Sequence, residues 1–399
     1  MLAGALAMVV AVLSPAVAAA SGERLALGLE DAVSYALSHS PQVRMAEYRW
    51  DSARYATWEA YRVKSLVESL PPEALKDLSP YQRAQIVELY PLQAQVGSDV
   101  ASRAWTATRE TVSAAVRQAY FACLQAEVGL EVAKAAEDLA RRQEEAAELM
   151  LQYGTATQRD VLAARAKVAQ AQASVVAAER YVLAAKYALC ALLGVSPDTD
   201  LELTEREFAY EPLKLTARDV AGDADRAVRE RYEVYSAERQ LEVKEKELEL
   251  AREYGYYGDP GMARLAGPSP WADVMAEAAR GAAQAELDQA KLKVRQEVYQ
   301  AYQELMDAQA AYEASAASVA EAEEGLRAAK EKLEHGAATR LDVQAAEFAL
   351  LQARANQKRL LYAWCAAREK YLHSKGRGMS LGQVGAAGAG VASGAGVTR

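Results

Sequence analysis

One motif is written twice in this chain, 182 residues apart. Gly154-Thr155-Ala156-Thr157-Gln158-Arg159-Asp160-Val161 recurs as Gly336-Ala337-Ala338-Thr339-Arg340-Leu341-Asp342-Val343. Downstream, Ala163-Ala164 returns as Ala345-Ala346, and Gln170-Ala171 as Gln352-Ala353. Each copy interrupts a long alanine-rich segment of helical period, so the repeat describes two stacked helical hairpins. The motif reads as a helix stop followed at once by a helix start. Gly154 and Gly336 suit the left-handed residue that ends a helix. Thr157 and Thr339 suit the N-cap, and Asp160 and Asp342 fall at the capping-box offset, at the positive end of the helix dipole. Capping accounts for both aspartates. A second reading, charged residues at the rim of an opening, is compatible with it.

Composition supports long packed helices. The chain has 399 residues, 51% of them hydrophobic, with 21 Tyr but only 3 Phe, and a net charge of −9 spread as mixed-sign pairs. A nucleic-acid binder carries a basic stripe, and none is visible. Residues 1–20 hold no charged side chain, and Leu2–Leu13 is a short apolar run followed by small residues at Ala16-Val17-Ala18 and Ala18-Ala19-Ala20. This reads as a signal peptide, too short for a membrane span. Cys123, Cys190 and Cys365 are expected as buried free thiols. Folding the first hairpin sets Cys123 level with Cys190, but packed helix axes lie about 8–10 Å apart, beyond ordinary disulfide reach.

The expected organisation is a signal peptide (1–20), a first helical repeat (21–194), a linker (195–225), a second helical repeat (226–375) and a disordered Gly/Ala-rich tail (376–399). Ala26–Lys64 reads as helix with a break at Ser38–Pro41, and Ser65–Ser98, with its four prolines, as irregular. A very long helix then runs to Tyr153, with Val112, Val116, Ala119, Cys123, Ala126, Leu130 and Ala133 alternating steps of four and three. That alternation is a heptad seam. The return helix keeps it from Val161 through Val168, Val175 and Val182 to Leu189, and stops at Gly194. In the second half, Ala227–Tyr254 reads as helix, Tyr254–Trp271 as a breaker-rich joint, Ala272–His335 as the second long helix, and Thr339–His373 as its return. Such seams suit an ordinary antiparallel coiled coil and equally the wall of a larger oligomeric cylinder. The fold class expected is all-α: elongated antiparallel hairpins in two repeats.

The doubled plan resembles the TolC-like family of outer-membrane efflux proteins over most of the chain. The Gly-x-x-Thr-x-x-Asp-Val turns carry the resemblance, with Leu192-Leu193-Gly194-Val195-Ser196-Pro197 closing the return helix. The starts Asp31-Ala32-Val33 through Ser40-Pro41 and Ala227–Val234 belong to it as well. The resemblance implies a homotrimer forming a hollow α-helical cylinder in the outer membrane, with an inner-membrane transporter and a periplasmic adaptor as partners and no cofactor. It implies that the turns at Gly154, Thr157, Asp160, Gly336, Thr339, Arg340 and Asp342 form the entrance and the adaptor-docking tip. By position, Asp342 matches an acidic residue lining that entrance and Asp160 is its counterpart. A ring of such carboxylates favours cations.

The resemblance also implies a strand pair inserted between the first two helices of each repeat, which closes into a membrane barrel. A spanning strand needs about 9–11 residues of alternating character. Tyr254–Trp271 is short and broken by prolines, and Ser65–Ser98 offers at most Gln85–Val96, interrupted by Pro91. The barrel is therefore expected to be reduced or missing. His39, His335 and His373 lie near helix ends, and neither metal-ligand spacing nor a phosphate-binding glycine loop is present, so an enzyme is not expected. Two function classes stay open: an export or efflux duct, and an exported helical scaffold that conducts nothing.

Overall fold

The computed structural model describes residues 24–76, 78–254 and 272–379. The signal-peptide reading at 1–20, most of the second joint and the tail beyond 379 lie outside the described residues. The chain opens with β1 (Arg24–Leu27), α1 (Leu29–His39) and α2 (Pro41–Ser69). A turn, α3 (Pro80–Ala84) and a π-helical stretch over Gln85–Leu89 lead into α4 (Tyr90–Gln152), and α5 (Gln158–Leu193) returns beside it. Then come β2 (Asp200–Leu203), α6 (Ala217–Glu230), α7 (Tyr232–Tyr254), α8 (Ala272–Glu334) and α9 (Arg340–Ser374). With 63 residues each, α4 and α8 are about 95 Å long. Toward the tips the helices lie in the order α5, α4, α9, α8; toward the other end α4 packs on α2 and α7, and α7 on α8.

The seams read from the sequence are buried. Val112, Val116 and Cys123 on α4, Val161, Val168 and Leu189 on α5, and Leu287, Val294, Val298 and Leu305 on α8 are all within the core. Ser315, the polar member of the α8 seam, donates its hydroxyl to the Tyr312 carbonyl. On α4 burial also takes in Tyr120, Phe121, Leu124 and Val128, because this helix has neighbours on more than one side. All three cysteines are free and buried, and burial pushes the Cys123 and Cys365 thiols up to about 12.

Several expectations need correction. Helix α4 begins at Tyr90, not after Ser98, because Pro91 sits in its first turn, where a missing N–H costs nothing. Gln85–Val96 is therefore helical, not a strand, and no strand occurs between α2 and α4 among the described residues. The expected helix from Ala227 starts ten residues earlier, at Ala217, and breaks at Arg231. A small sheet also joins the all-α plan. β1 and β2 pair in parallel, Arg24 opposite Asp200 through Leu27 opposite Leu203, with Arg24 Nε donating to Asp200 Oδ2 at 3.0 Å. The tail is docked in its first residues. The Met379 N–H donates to Thr111 Oγ1 at 2.9 Å, and Met379 is buried.

The linker stitches the hairpins together. The Tyr120 hydroxyl lies 3.2 Å from the Leu27 carbonyl and 3.0 Å from the Glu205 carbonyl, and accepts the Glu205 N–H. Tyr362 on α9 donates to the Arg206 carbonyl at 2.7 Å. Phe208 sits edge-on between Phe121 and Tyr362, and Tyr210 packs against Tyr312 and Trp364. A segment without periodicity thus supplies the aromatic centre that joins α4, α8 and α9.

Both repeats break their first helix at the same level, by different means. In the first, Ser40-Pro41 ends α1, and Gly194 (φ +75°) closes α5 against it; a Cβ on Gly194 would lie 2.9 Å from the His39 carbonyl oxygen. In the second, the buried Arg231 fills the break. Its guanidinium donates to Glu233 (2.8 and 3.0 Å), Glu297 (2.8 Å) and the Ser374 carbonyl (3.1 Å). Replacing Arg231 by alanine leaves two carboxylates without their cation, and we expect a loss of about 3–5 kcal/mol in unfolding free energy. Chemical denaturation followed by circular dichroism checks this.

Candidate functional site

The two turns carrying the repeated motif have the same backbone solution. At the first tip Gly154 takes φ +72°, and the N–H groups of Thr155 and Ala156 both donate to the Met150 carbonyl, at 2.9 and 3.2 Å. At the second, Gly336 takes φ +70° and the Ala337 N–H donates to the Lys332 carbonyl at 2.7 Å. These bonds satisfy carbonyls that the ending helices leave unpaired, and the positive φ makes glycine the residue of choice.

Each following helix opens on a reciprocal capping box. Asp160 Oδ2 accepts from the Thr157 N–H (2.8 Å) and hydroxyl (2.7 Å), while the Asp160 N–H points back to Thr157 Oγ1 at 3.4 Å. Asp342 and Thr339 repeat this at 2.7, 2.8 and 3.2 Å. The Thr157 backbone and hydroxyl hold the Asp160 carboxyl below the usual carboxylate range, and Thr339 does the same for Asp342. A third box of the same geometry, Thr216 with Asp219, opens α6 far from either tip. The Thr-x-x-Asp unit is therefore a helix start wherever it falls. What distinguishes the tips is the left-handed glycine ahead of it and its pairing across the repeats.

Gly154, Thr157, Asp160, Gly336, Thr339, Arg340 and Asp342 are all exposed, each set on its own tip. Among the described residues no group of three or more His, Cys, Asp or Glu could hold a metal ion, and no helix is long and apolar enough to cross a membrane. His39 and His335 are exposed; His373 instead donates from Nε2 to the Met379 carbonyl at 2.8 Å, and burial holds its pKa down.

Away from the turns, α5 presents a second seam that the sequence reading did not include. Leu162, Ala166, Ala169, Ala173, Val176, Leu183 and Tyr187 keep heptad spacing, with Arg180 between Val176 and Leu183, and all are exposed. They lie one position around from the buried Val161–Leu189 seam, on the edge of the helix array. The signal was present as a doubled period, apolar at neighbouring positions in each heptad.

Residues 273–370 match the outer membrane efflux protein family. Among solved structures, the outer membrane protein VceC of Vibrio cholerae is 20% identical with a TM-score of 0.63, over 88% of this chain and 97% of that one. The chain carries the TolC-like fold. The open-state MtrE outer membrane channel of Neisseria gonorrhoeae matches at 16% identity and a TM-score of 0.64, over 88% of this chain and 90% of that one. For the CmeC outer membrane channel of Campylobacter jejuni the figures are 14% and 0.62, over 88% and 86%. No curated protein matches. At these identities the solved structures establish the TolC-like fold, while the family match in sequence falls on the second repeat.

Truncating both caps, Thr157→Ala with Thr339→Ala, is expected to cost about 1 kcal/mol per tip and to fray the first turns of α5 and α9. Because the folded aspartate pKa values are depressed, the cap contribution is present above the unfolded carboxylate value, about 3.9. It is lost as pH falls through the lower folded value. Amide hydrogen-exchange protection at residues 157–161 and 339–343, taken relative to the intrinsic rate at each pH, should therefore fall below about pH 4 in the wild type, and already at neutral pH in the double variant.

Proposed function

We propose that the chain is the duct subunit of an export or efflux assembly in the outer membrane or cell envelope. Three copies close into a hollow helical cylinder, which works with an inner-membrane transporter and a periplasmic adaptor. The exposed second seam of α5 carries this reading, since apolar residues at heptad spacing on an edge helix call for another helix. The other edge, α8, is complementary in charge. α5 carries Arg159, Arg165, Lys167, Arg180 and Lys186 against Asp160 and Glu179, whereas Glu304–Glu334 of α8 holds eight carboxylates and three cations. An α5-to-α8 contact between copies is heterologous, and such a contact gives a ring where the rotation between copies closes. In this assembly the two tips surround the entrance and receive the adaptor, and Asp160 and Asp342 set a carboxylate rim there.

A second reading, an exported scaffold that conducts nothing, is favoured by the link between α2 and α4. Leu70–Ser79, α3 and the π-helical stretch join these helices where the resemblance implies barrel strands.

Sedimentation equilibrium of the purified chain is expected to give a trimer. Val176→Glu with Leu183→Glu removes two apolar side chains from the contact, about 3 kcal/mol or more, and should weaken association at least tenfold. A wild type that sediments as a monomer sinks the ring. Fractionation of the native envelope with an alkaline carbonate wash separates the two readings: retention in the membrane pellet supports a membrane-held duct, and release supports the scaffold.

A further inference from the structure

Helix α9 is closed before its last ordered neighbours are reached. The Lys375 N–H donates to the Tyr371 carbonyl at 3.3 Å and the Gly376 N–H to the His373 carbonyl at 3.0 Å, while Arg231 donates to the Ser374 carbonyl at 3.1 Å. The helix end therefore needs nothing from the residues beyond it. Gly378 and Met379 are nevertheless buried, Met379 with 2% of its surface exposed.

Three helices hold this segment. The Met379 N–H donates at 2.9 Å to Oγ1 of Thr111, a wholly buried residue of α4 whose own hydroxyl donates to the Ala107 carbonyl at 2.7 Å. The Met379 carbonyl accepts from Nε2 of His373 on α9 at 2.8 Å. Arg377 Nε donates to Glu230 Oε2, at the end of α6, at 3.2 Å. Gly378 lies so close to the imidazole that a Cβ there would sit 2.9 Å from Nδ1 and overlap the ring. Both backbone groups of Met379 are thus taken by side chains of two different helices, in a segment that caps neither.

Histidine is the residue whose charge changes near neutral pH. With the Nε2 proton committed to Met379, a second proton has to enter at Nδ1, against Gly378. Burial presses the ring toward its neutral form, and the Arg231 guanidinium adds to this; the bond to Met379 and the carboxylates of Glu233 on α7 and Glu297 on α8 act the other way, and burial prevails. The charges nearest the rest of the segment are Glu110 on α4, beside Gly376, and the pairs Arg377 with Glu230 and Lys375 with Asp223. Docking favours the neutral ring, so it is fully favoured above the ordinary histidine value, about 6.5, and weakens as pH falls through the lower docked value.

We propose that Gly376–Met379 is an acid-released strap: with His373 neutral it clips the end of α9 to α4 and α6, at the level where α9 gives way to α7, and protonation of His373 lets it go. The device is built within one chain and is independent of the duct reading.

The test follows oxidation of the Met379 thioether by dilute hydrogen peroxide in the full chain, read by peptide mass spectrometry against added N-acetylmethionine amide. At about pH 7.5 Met379 should react at least about tenfold more slowly than the free thioether. At about pH 5, still above the ordinary glutamate value of about 4.3, it should accelerate by about fivefold or more. Met306, packed against the core, should keep its rate at both. Gly378→Ala, which forces a methyl group into the imidazole, should remove the protection at about pH 7.5 with the circular dichroism unchanged. His373→Gln, which cannot take up the proton, should give one Met379 rate at both pH values. Met379 reacting as fast as the free thioether at about pH 7.5 overturns the strap itself. A rate that does not change on acidification, a Met306 rate that rises in step, or an acid response that survives in His373→Gln overturns its release by His373.

Discussion

A helix about 95 Å long needs a neighbour at every turn, and most of this structure follows from that requirement. Neither α4 nor α8 can be wrapped inside a globule built from 399 residues, so burial has to come from other helices laid alongside. Small residues on the seams let backbones approach, and the chain folds each long helix back on itself through a tight turn. One return helix covers only one side. The array therefore ends in two edges, α5 and α8, and the outer face of α5 keeps the spacing of a seam with nothing of this chain to fill it among the described residues.

The level at which α1 and α6 end depends on a different chemistry. Helix breaks there expose backbone groups inside a bundle, and unpaired buried polar groups are costly. The first repeat solves this with proline and a left-handed glycine packed directly against the break. The second uses a buried guanidinium that reaches two carboxylates and a carbonyl. Tyr120 and Tyr362 then tie the linker carbonyls to α4 and α9, and burial pushes both phenols up to about 12. The two solutions share no residue pattern, so the repeat is conserved in geometry at this level while its sequence has diverged.

This divergence explains which parts were legible in the sequence. The tips could be read from residues because a left-handed glycine and an N-cap threonine are local requirements, satisfied within eight positions. Long seams were legible for a similar reason, since a period accumulates over many turns. The break at Arg231, the four-residue strands and the aromatic stitch at Phe208 and Tyr210 depend on partners 66 to 176 positions away. Two leucines alternating in Asp200–Leu203 carry too little period to stand out from a loop. The prolines before α4 misled in the opposite direction, because Pro91 begins a helix as readily as it breaks a strand.

The third capping box bears most directly on how the tip aspartates can be interpreted. At Asp219 the same bonds to a threonine form with no opening nearby, so an aspartate at this offset is fully explained by starting a helix. At Asp160 and Asp342 one oxygen, Oδ2, takes both the backbone and the hydroxyl bond. The carboxylates are thereby fixed in place, ionised and facing outward. In the proposed duct, a rim of charge that also holds its own helix ends differs from a mobile gate, because neutralising the charge loosens the structure that presents it. Any change in passage produced by replacing these aspartates therefore has to be weighed against frayed tips. The side chains of Leu149, Met150 and Tyr153 carry no such double duty: none makes a cap bond among the described residues, and the other repeat builds the same turn without them.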